Sequence, residues 1–429
     1  MTPPLRIAVA GLGTVGAGTL ALLARHDALL AMRCGRRLEV TAVCARDRDR
    51  DRGVSLDGIA WHDTVESLAH ADGDVVVELI GGASGAALDL ARAALAAGKH
   101  LVTANKALIA HHGPELARIA EGAGLNLAYE AAVAGGIPIV KGLREGLAGN
   151  RIDSIHGILN GTCNYVLTTM RETGRDFDDV LGEAQALGYA EADPSFDVDG
   201  IDSAHKLAIL SSVAFGADID FGAVYVEGIR GIAPLDLVFA EELGYRIKLL
   251  GLARAEAGGI AQRVHPCMVP KAAPIAQVEG VLNAVVADGD FVGGTVYEGP
   301  GAGAGPTASA VVADLIDIAR GGRVPTFSIP AAEMRALAPV PIENRIGPYY
   351  VRLMVVDRPG VIADITACLR DHQVSMETMI QRARKPGEAV PVVMTVHDVK
   401  EAAMGAAIDQ IGRLPTVLES PHMIRIEAL

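Results

Sequence analysis

The stretch "GLGTVG" (11–16) limits what this chain can fold into more than any other feature of its 429 residues. It follows "LRIAVA" (5–10), a short apolar run that reads as a buried strand, and it opens a run over 15–30 that reads as a helix. In that setting Gly11 permits a tight turn, Gly13 lets a pyrophosphate approach the backbone, and Gly16 lets helix and strand pack closely. The N–H groups of Gly13, Thr14, Val15 and Gly16 at the helix start then face an anion. A chance turn is the competing reading in a chain with 49 glycines, and the strand-to-helix context argues against it. Residues 7–24 are uncharged and approach the length of a membrane span, but glycines at 11, 13, 16 and 18 interrupt them. No membrane segment is expected.

Further strands follow at "LEVTAVCAR" (38–46), "DVVVELIGG" (74–82), "HLVTANK" (100–106) and "LNLAYEAAV" (125–133), with helical runs between them. That alternation predicts a doubly wound parallel sheet. The second strand ends in "ARDRDR", with Arg46 where an acidic residue would otherwise grip the ribose of NAD(H). A 2′-phosphate is favoured, so NADP(H) is expected over NAD(H), although Asp47 leaves NAD(H) open. "TANK" puts Lys106 at the carboxyl end of the fourth strand, where such sheets bind ligands. It is a candidate for substrate positioning or proton transfer; the alternative is a capping or surface lysine.

Four units are expected: a dinucleotide-binding domain (1–138), an α+β substrate domain (139–320), a Pro-bearing linker (321–348) and a small unit alternating strands and helices (349–429). In the second unit "EADPSFDVDGIDSAHK" (191–206) crowds Glu191, Asp193, Asp197, Asp199 and Asp202 ahead of a lysine. Asp202 and Lys206 are four apart, hence on one helix face, and that face continues as Ile209 and Val213. An exposed ion pair is the plainer reading. The apolar surroundings instead suggest a partly desolvated lysine with a useful acid–base range, unless Asp202 compensates. "DVDG" is no calcium loop, because Lys206 stands where a bidentate Glu is needed.

The net charge of −14 comes with no long basic tract, so nucleic acid is not an expected partner. Five scattered cysteines, none in a C-x-x-C pair, indicate neither a disulfide framework nor a zinc site and suit a reducing cytoplasm.

In order along the chain, "GLGTVG", "VELIGG", "TANK", "YEAAVAGGIPI", "GILNGTCNYVLT", "GYAEADPSFDVDGIDSAHK" and "GPGAGAGPTASAV" resemble the homoserine dehydrogenase family over about residues 5–320. The last eighty residues or so, with "DRPGVIADI" (357–365), resemble an ACT domain of ferredoxin-like fold. The resemblance implies NAD(P)-dependent interconversion of L-aspartate 4-semialdehyde and L-homoserine. It implies Lys206 as proton donor, Lys106 beside substrate and nicotinamide, and Glu191 and Asp202 holding the amino acid. Thr103, Gly188 and Gly303 would lie against the dinucleotide. Glu130, with the backbone carbonyls of Val133, Gly135 and Ile137, would hold a sodium-like monovalent cation in a structural role. Threonine is the implied effector of the ACT unit, and pairing of that unit implies a homo-oligomer, a dimer or tetramer. Two other readings stand beside this one: another dehydrogenase of a small amino acid, or a non-catalytic amino-acid sensor.

Overall fold

The structure is a computed structural model, and it describes residues 2–382 and 387–429. Its first sheet is six-stranded and parallel throughout, in the order β3-β2-β1-β4-β5-β6. These are β1 (Leu5–Ala10), β2 (Leu38–Cys44), β3 (Ala60–His62), β4 (Val75–Glu78), β5 (His100–Thr103) and β6 (Leu127–Ala128). β1 and β4 are buried almost without interruption, as expected where helices cover both faces. The chain runs from β1 outward to β3 and then jumps back to β4, on the other side of β1. The resulting crevice lies between the loops after β1 and β4. A Cβ on Gly11, at φ +95°, would sit 2.4 Å from the carbonyl oxygen of Leu79, so those loops touch there and only glycine fits. Sequence reading missed the short β3.

The second sheet has ten strands, mostly antiparallel, in the order β12-β11-β7-β9-β10-β16-β13-β15-β14, with β8 also paired to β10. Its part from the middle of the chain comprises β7 (Ile152–Ile158), β8 (Tyr225–Val226), β9 (Tyr245–Glu256), β10 (Gly259–Pro270), β11 (Leu282–Gly289) and β12 (Gly293–Pro300). The helix Ile201–Phe215 packs on β9 and β10 and against the helix Lys106–Gly122 of the first unit. It is buried nearly all round, including Leu207, Ile209, Leu210 and Val213. Each such side chain contributes roughly 1.5–3 kcal/mol by leaving water, so this junction between the units is firmly seated.

The chain then crosses back. The helix Ala304–Ala319 packs on the helix Thr14–Arg25, and its Val311 and Leu315 join Ile7, Val9 and Val75 in the core of the first sheet. Thus the stretch just before 320 lies in the nucleotide unit's core. The segment expected as a linker is also strapped down. Ile260 and Val340 donate to the carbonyls of Ala338 and Ile260 (3.0 Å each), and Tyr129 Oη donates to Thr326 O (2.7 Å).

The C-terminal unit has β13 (Ile346–Val356), β14 (Met376–Ile380), β15 (Ala389–Lys400) and β16 (His422–Ile426), with helices Val361–Asp371 and Glu401–Gly412. The strand order β16-β13-β15-β14 is the ferredoxin-like one. This unit does not stand alone. β16 pairs with β10 in parallel register, Cys267 opposite Arg425 and Met268 opposite Ile426, making one continuous sheet with the strands from the middle of the chain. Among the described residues, no helix is long and apolar enough to cross a membrane.

Candidate active site

Lys106 is the first residue of its helix, held there by Asn105, whose side chain caps Leu108 N (3.1 Å) and whose amide donates to Gly82 O (2.7 Å). Lys206 projects from the helix Ile201–Phe215 of the other unit. Both reach one carboxylate. Asp202 Oδ1 lies 3.2 Å from Lys106 Nζ, and Asp202 Oδ2 accepts from Lys206 Nζ at 2.7 Å. The pair is not an exposed surface bridge: the side chains of Asp202 and Lys206 are 6% and 12% exposed. Lys206 also donates to Leu159 O (2.7 Å). Burial would raise the Asp202 carboxyl, but Lys206 and Lys106, with hydrogen bonds from Lys206 and Asn160, outweigh it and hold it at about 2. Asp202 is therefore ionised at any working pH.

Sequence reading missed Asn160. Its Nδ2 donates to Asp202 Oδ2 (2.9 Å) and Asp197 Oδ1 (2.7 Å), while its Oδ1 caps Cys163 N (2.8 Å). An Asn before a helix reads as a cap, which it is; nothing in the sequence reports that its amide joins two acids. Burial, and then Asp202, push the Asp197 carboxyl up.

The crowded acids separate in the fold. Asp199 pairs with Arg230 (2.5 Å), and Asp193 accepts from Ser195 N (3.1 Å). Glu191 is exposed on the loop before them, and its carboxylate has no hydrogen bond or ion pair among the described residues. The structure therefore brings Lys106, Asp202 and Lys206 together and leaves Glu191 outside that cluster.

The glycine turn after β1 is tightly built. The helix Thr14–Arg25 starts at Gly13 with no side-chain cap, which leaves its first N–H groups free for an anion, and a Cβ on Gly13 would meet nothing within 4 Å. Gly16 is required: a Cβ there would fall 2.1 Å from Gly11 O. Gly303 (φ 116°) begins the helix Ala304–Ala319, also without a side-chain cap, and Ala304 O would lie 2.8 Å from a Cβ on Gly18. Gly188 lies exposed just past a helix end at φ 76°. Thr103, expected against the dinucleotide, is instead fully buried, its hydroxyl donating to Glu78 Oε2 (2.6 Å) and accepting from Asn105 N (2.9 Å), so it offers a ligand no exposed group and serves to tie β4 to the start of the next helix. Arg46 is exposed just beyond β2. Asp47 Oδ1 accepts from the N–H groups of Asp49 (3.0 Å) and Arg50 (3.2 Å).

Glu130 is buried after β6. Its two oxygens accept from Val140 N (2.9 Å) and Lys141 N (2.8 Å), and burial, then Asp314, push it up to about 7. Ile137 O accepts from Ile139 N (2.8 Å).

Family models match this chain at residues 11–130 (homoserine dehydrogenase, NAD binding domain), 138–316 (homoserine dehydrogenase) and 349–416 (ACT domain). A homoserine dehydrogenase of Neisseria gonorrhoeae is 46% identical over 432 residues, covering 99% of both chains. The chain belongs to the homoserine dehydrogenase family. Among solved structures, a homoserine dehydrogenase from Thiobacillus denitrificans superposes with a TM-score of 0.93 at 45% identity, covering 99% of this chain and 98% of that one. A hyperthermophilic archaeal homoserine dehydrogenase in complex with NADPH matches with a TM-score of 0.64 at 28% identity, over 75% of this chain and 99% of that one. Membership makes this protein an oxidoreductase that uses a nicotinamide nucleotide to interconvert L-aspartate 4-semialdehyde and L-homoserine, a step of amino-acid biosynthesis. The ACT unit is the part suited to amino-acid regulation.

Proposed function

We propose that the cluster of Lys106, Asp202 and Lys206 is the proton-handling centre of this dehydrogenase. The observation that carries the reading is the convergence of two lysines, one from each unit, on one buried carboxylate. The nucleotide supplies or accepts hydride when bound. Lys206 gives the developing alkoxide its proton, and Lys106 stabilises oxygen charge or positions the substrate. Asp202 Oδ2 is occupied by Lys206 and Asn160, and Oδ1 lies beside Lys106. We therefore give Asp202 the task of setting both ammonium groups, an addition to the amino-acid contact that the family resemblance implies. Glu191, whose carboxylate has no hydrogen bond or ion pair among the described residues, is suited to meet the substrate's ammonium.

The cofactor assigned here is NADP(H). Asp47 spends one oxygen on its own loop, whereas Arg46 is exposed beside it, and the archaeal relative binds NADPH. The free N–H groups at Gly13, Thr14 and Val15 fit the pyrophosphate, and Gly188 and Gly303 fit the rest of the nucleotide. A guanidinium grips a 2′-phosphate through charge-assisted bonds worth roughly 1.5–3 kcal/mol, which a ribose hydroxyl cannot exploit. In an absorbance assay of homoserine oxidation, Arg46→Ala should raise the Michaelis constant for NADP⁺ about tenfold or more and change that for NAD⁺ little. Equal losses with both nucleotides would take Arg46 out of the phosphate site.

A monovalent cation near Glu130 is also part of the reading. Glu130 and Asp314 share Lys141, Asp314 also feels Arg144, and the chain that follows Glu130 turns through Ala134 (φ 55°) and Gly135 (φ 49°), the segment that carries the carbonyls of Val133, Gly135 and Ile137. Lys141 also pairs with Asp317 and Arg144 with Glu145, so four acids face two cations, and that surplus fits a small cation. Because burial raises the folded Glu130 above its unfolded value, the fold loses stability as pH rises toward about 7, and a bound cation offsets that loss only once Glu130 is ionised. Sodium, compared with choline at equal ionic strength, should raise the unfolding temperature at about pH 8 and not at about pH 5.5. Glu130→Gln should abolish the difference; a sodium effect that survives it would move the ion elsewhere.

Threonine is assigned as effector at the "DRPG" turn, where Gly360 (φ 96°) opens the helix Val361–Asp371, in an oligomer that pairs ACT units, a dimer or tetramer. The five free, buried cysteines support a cytoplasmic site of action.

A further inference from the structure

Phe196 is an unexpected residue at its position. It is 44% exposed, on the short helical turn Ser195–Val198 that also carries Asp197, and burial does not account for an aromatic ring there. Its ring nevertheless has defined neighbours. Lys106 Nζ lies over it, 5.5 Å from the centroid. His205 stacks against it at 5.6 Å with planes 29° apart, and His205 stacks in turn on Phe221 at 4.2 Å and 16°. His205 is held in place twice over. Its Nδ1 bonds Ile201 O (3.0 Å), which puts the ring proton on Nδ1 and leaves Nε2 to accept from His111 Nε2 (3.2 Å). His111 closes the group by edge contacts with His205 (5.3 Å) and Phe221 (5.1 Å).

We propose that Phe196 is a positioning residue for Lys106: its ring face, steadied by the His205–Phe221–His111 stack, holds the Lys106 ammonium toward Asp202 across the cleft between the two units. Lys106 is about one-third exposed and, among the described residues, has one ionic partner, Asp202, so its long side chain would otherwise sample many rotamers. The negative face of an aromatic ring attracts an ammonium through its quadrupole, and the attraction depends on the electron density of the ring rather than on its bulk. The inference rests on the reading of Lys106 as a group of the reaction centre.

The test replaces Phe196 in the full-length enzyme by phenylalanines carrying one, two and three ring fluorines, which withdraw electrons with little change of shape. The values of kcat/KM for homoserine, measured with saturating NADP⁺, should fall stepwise, by about 2–30-fold in total from the usual worth of such contacts. NADP⁺ affinity should stay constant. Phe196→Tyr should retain activity, whereas Phe196→Leu should lose at least as much as the trifluorinated variant. A flat fluorine series would show that the ring only fills space and would overturn the proposal. Lys106→Ala, measured alongside, separates the two levels. If it is nearly as active as the parent, the reading of Lys106 fails and the role of Phe196 falls with it. If it is impaired while the fluorine series is flat, only the role of Phe196 falls.

Discussion

Lys206→Ala is expected to lower turnover of homoserine by roughly 10²–10⁴-fold, the usual worth of a positioned general acid or base. The size follows from geometry that leaves little room for a substitute. Lys206 Nζ is fixed by Asp202 Oδ2 and Leu159 O, both at 2.7 Å, and its side chain is nearly buried. Water admitted by the truncation could bond Asp202 and Leu159 O but would be uncharged and a far weaker acid than an ammonium group. Gly11, Gly13 and Gly16, proposed to cradle the nucleotide, belong to the other unit, so nucleotide affinity should barely change. Stability offers a second readout. Asp202 would keep Lys106 and Asn160 but lose its closest charge partner, and breaking a buried pair on one side costs about 3–5 kcal/mol. Lys206→Arg would keep the charge while a planar guanidinium replaces the compact donor, so it should recover stability more than turnover. Near-normal turnover in Lys206→Ala would remove it from the proton path.

Much of the first unit was legible in the sequence because its constraints are local. Glycines at 11, 13 and 16 state a turn geometry, and apolar runs such as "DVVVEL" state a strand covered on both faces. Asp202 and Lys206 were legible for a similar reason, since a spacing of four places them on one helix face. Contacts between distant segments were not. The convergence of Lys106 on Asp202 depends on how two helices pack, ninety-odd residues apart, and resemblance rather than periodicity pointed to it. The hairpin of β11 and β12 escaped because β12, "GGTVYEGP", is an edge strand alternating only between exposed and half-buried, with glycines where strand formers usually stand. The return of the helix Ala304–Ala319 to the first sheet was equally silent. Its apolar face says that it packs, and nothing in it says where.

The joining of the ACT unit to the catalytic sheet is the least legible feature of all, and it carries the second large effect. Arg425, on β16, has a side chain only 3% exposed. It donates to both oxygens of Glu401 (3.0 Å each), to Glu227 Oε2 (2.7 Å) and to Tyr225 Oη (3.1 Å). Close by, Asp236, fully buried at the start of the helix Pro234–Glu242, accepts from Tyr350 Oη (3.0 Å) and Arg352 Nε (2.8 Å) of β13. Arg425→Ala would leave Glu401 buried without its counter-charge, keeping only the Tyr349 hydroxyl (3.1 Å), so a loss of about 3–5 kcal/mol is expected. Removing the two buried charges with Arg425→Met and Glu401→Gln should recover most of it, because what costs is the uncompensated buried ion; Glu227, the third member, also loses Arg425 but is one-third exposed and can be solvated. The same contacts lead toward the site. Glu227 is followed by Gly228, where a Cβ would lie 2.3 Å from Val198 O, and Ile229 N donates to that oxygen at 2.9 Å. Val198 is the neighbour of Asp197, which Asn160 ties to Asp202. These contacts run without a break from β16 to the carboxylate that holds the lysines. If threonine acts by this route, the paired replacement should fold and turn over homoserine while its inhibition by threonine weakens by up to the 1–3 kcal/mol typical of coupled sites, roughly 5–150-fold in apparent affinity. Inhibition that stays unchanged in a variant with restored stability would show that Arg425 only fastens the two units together.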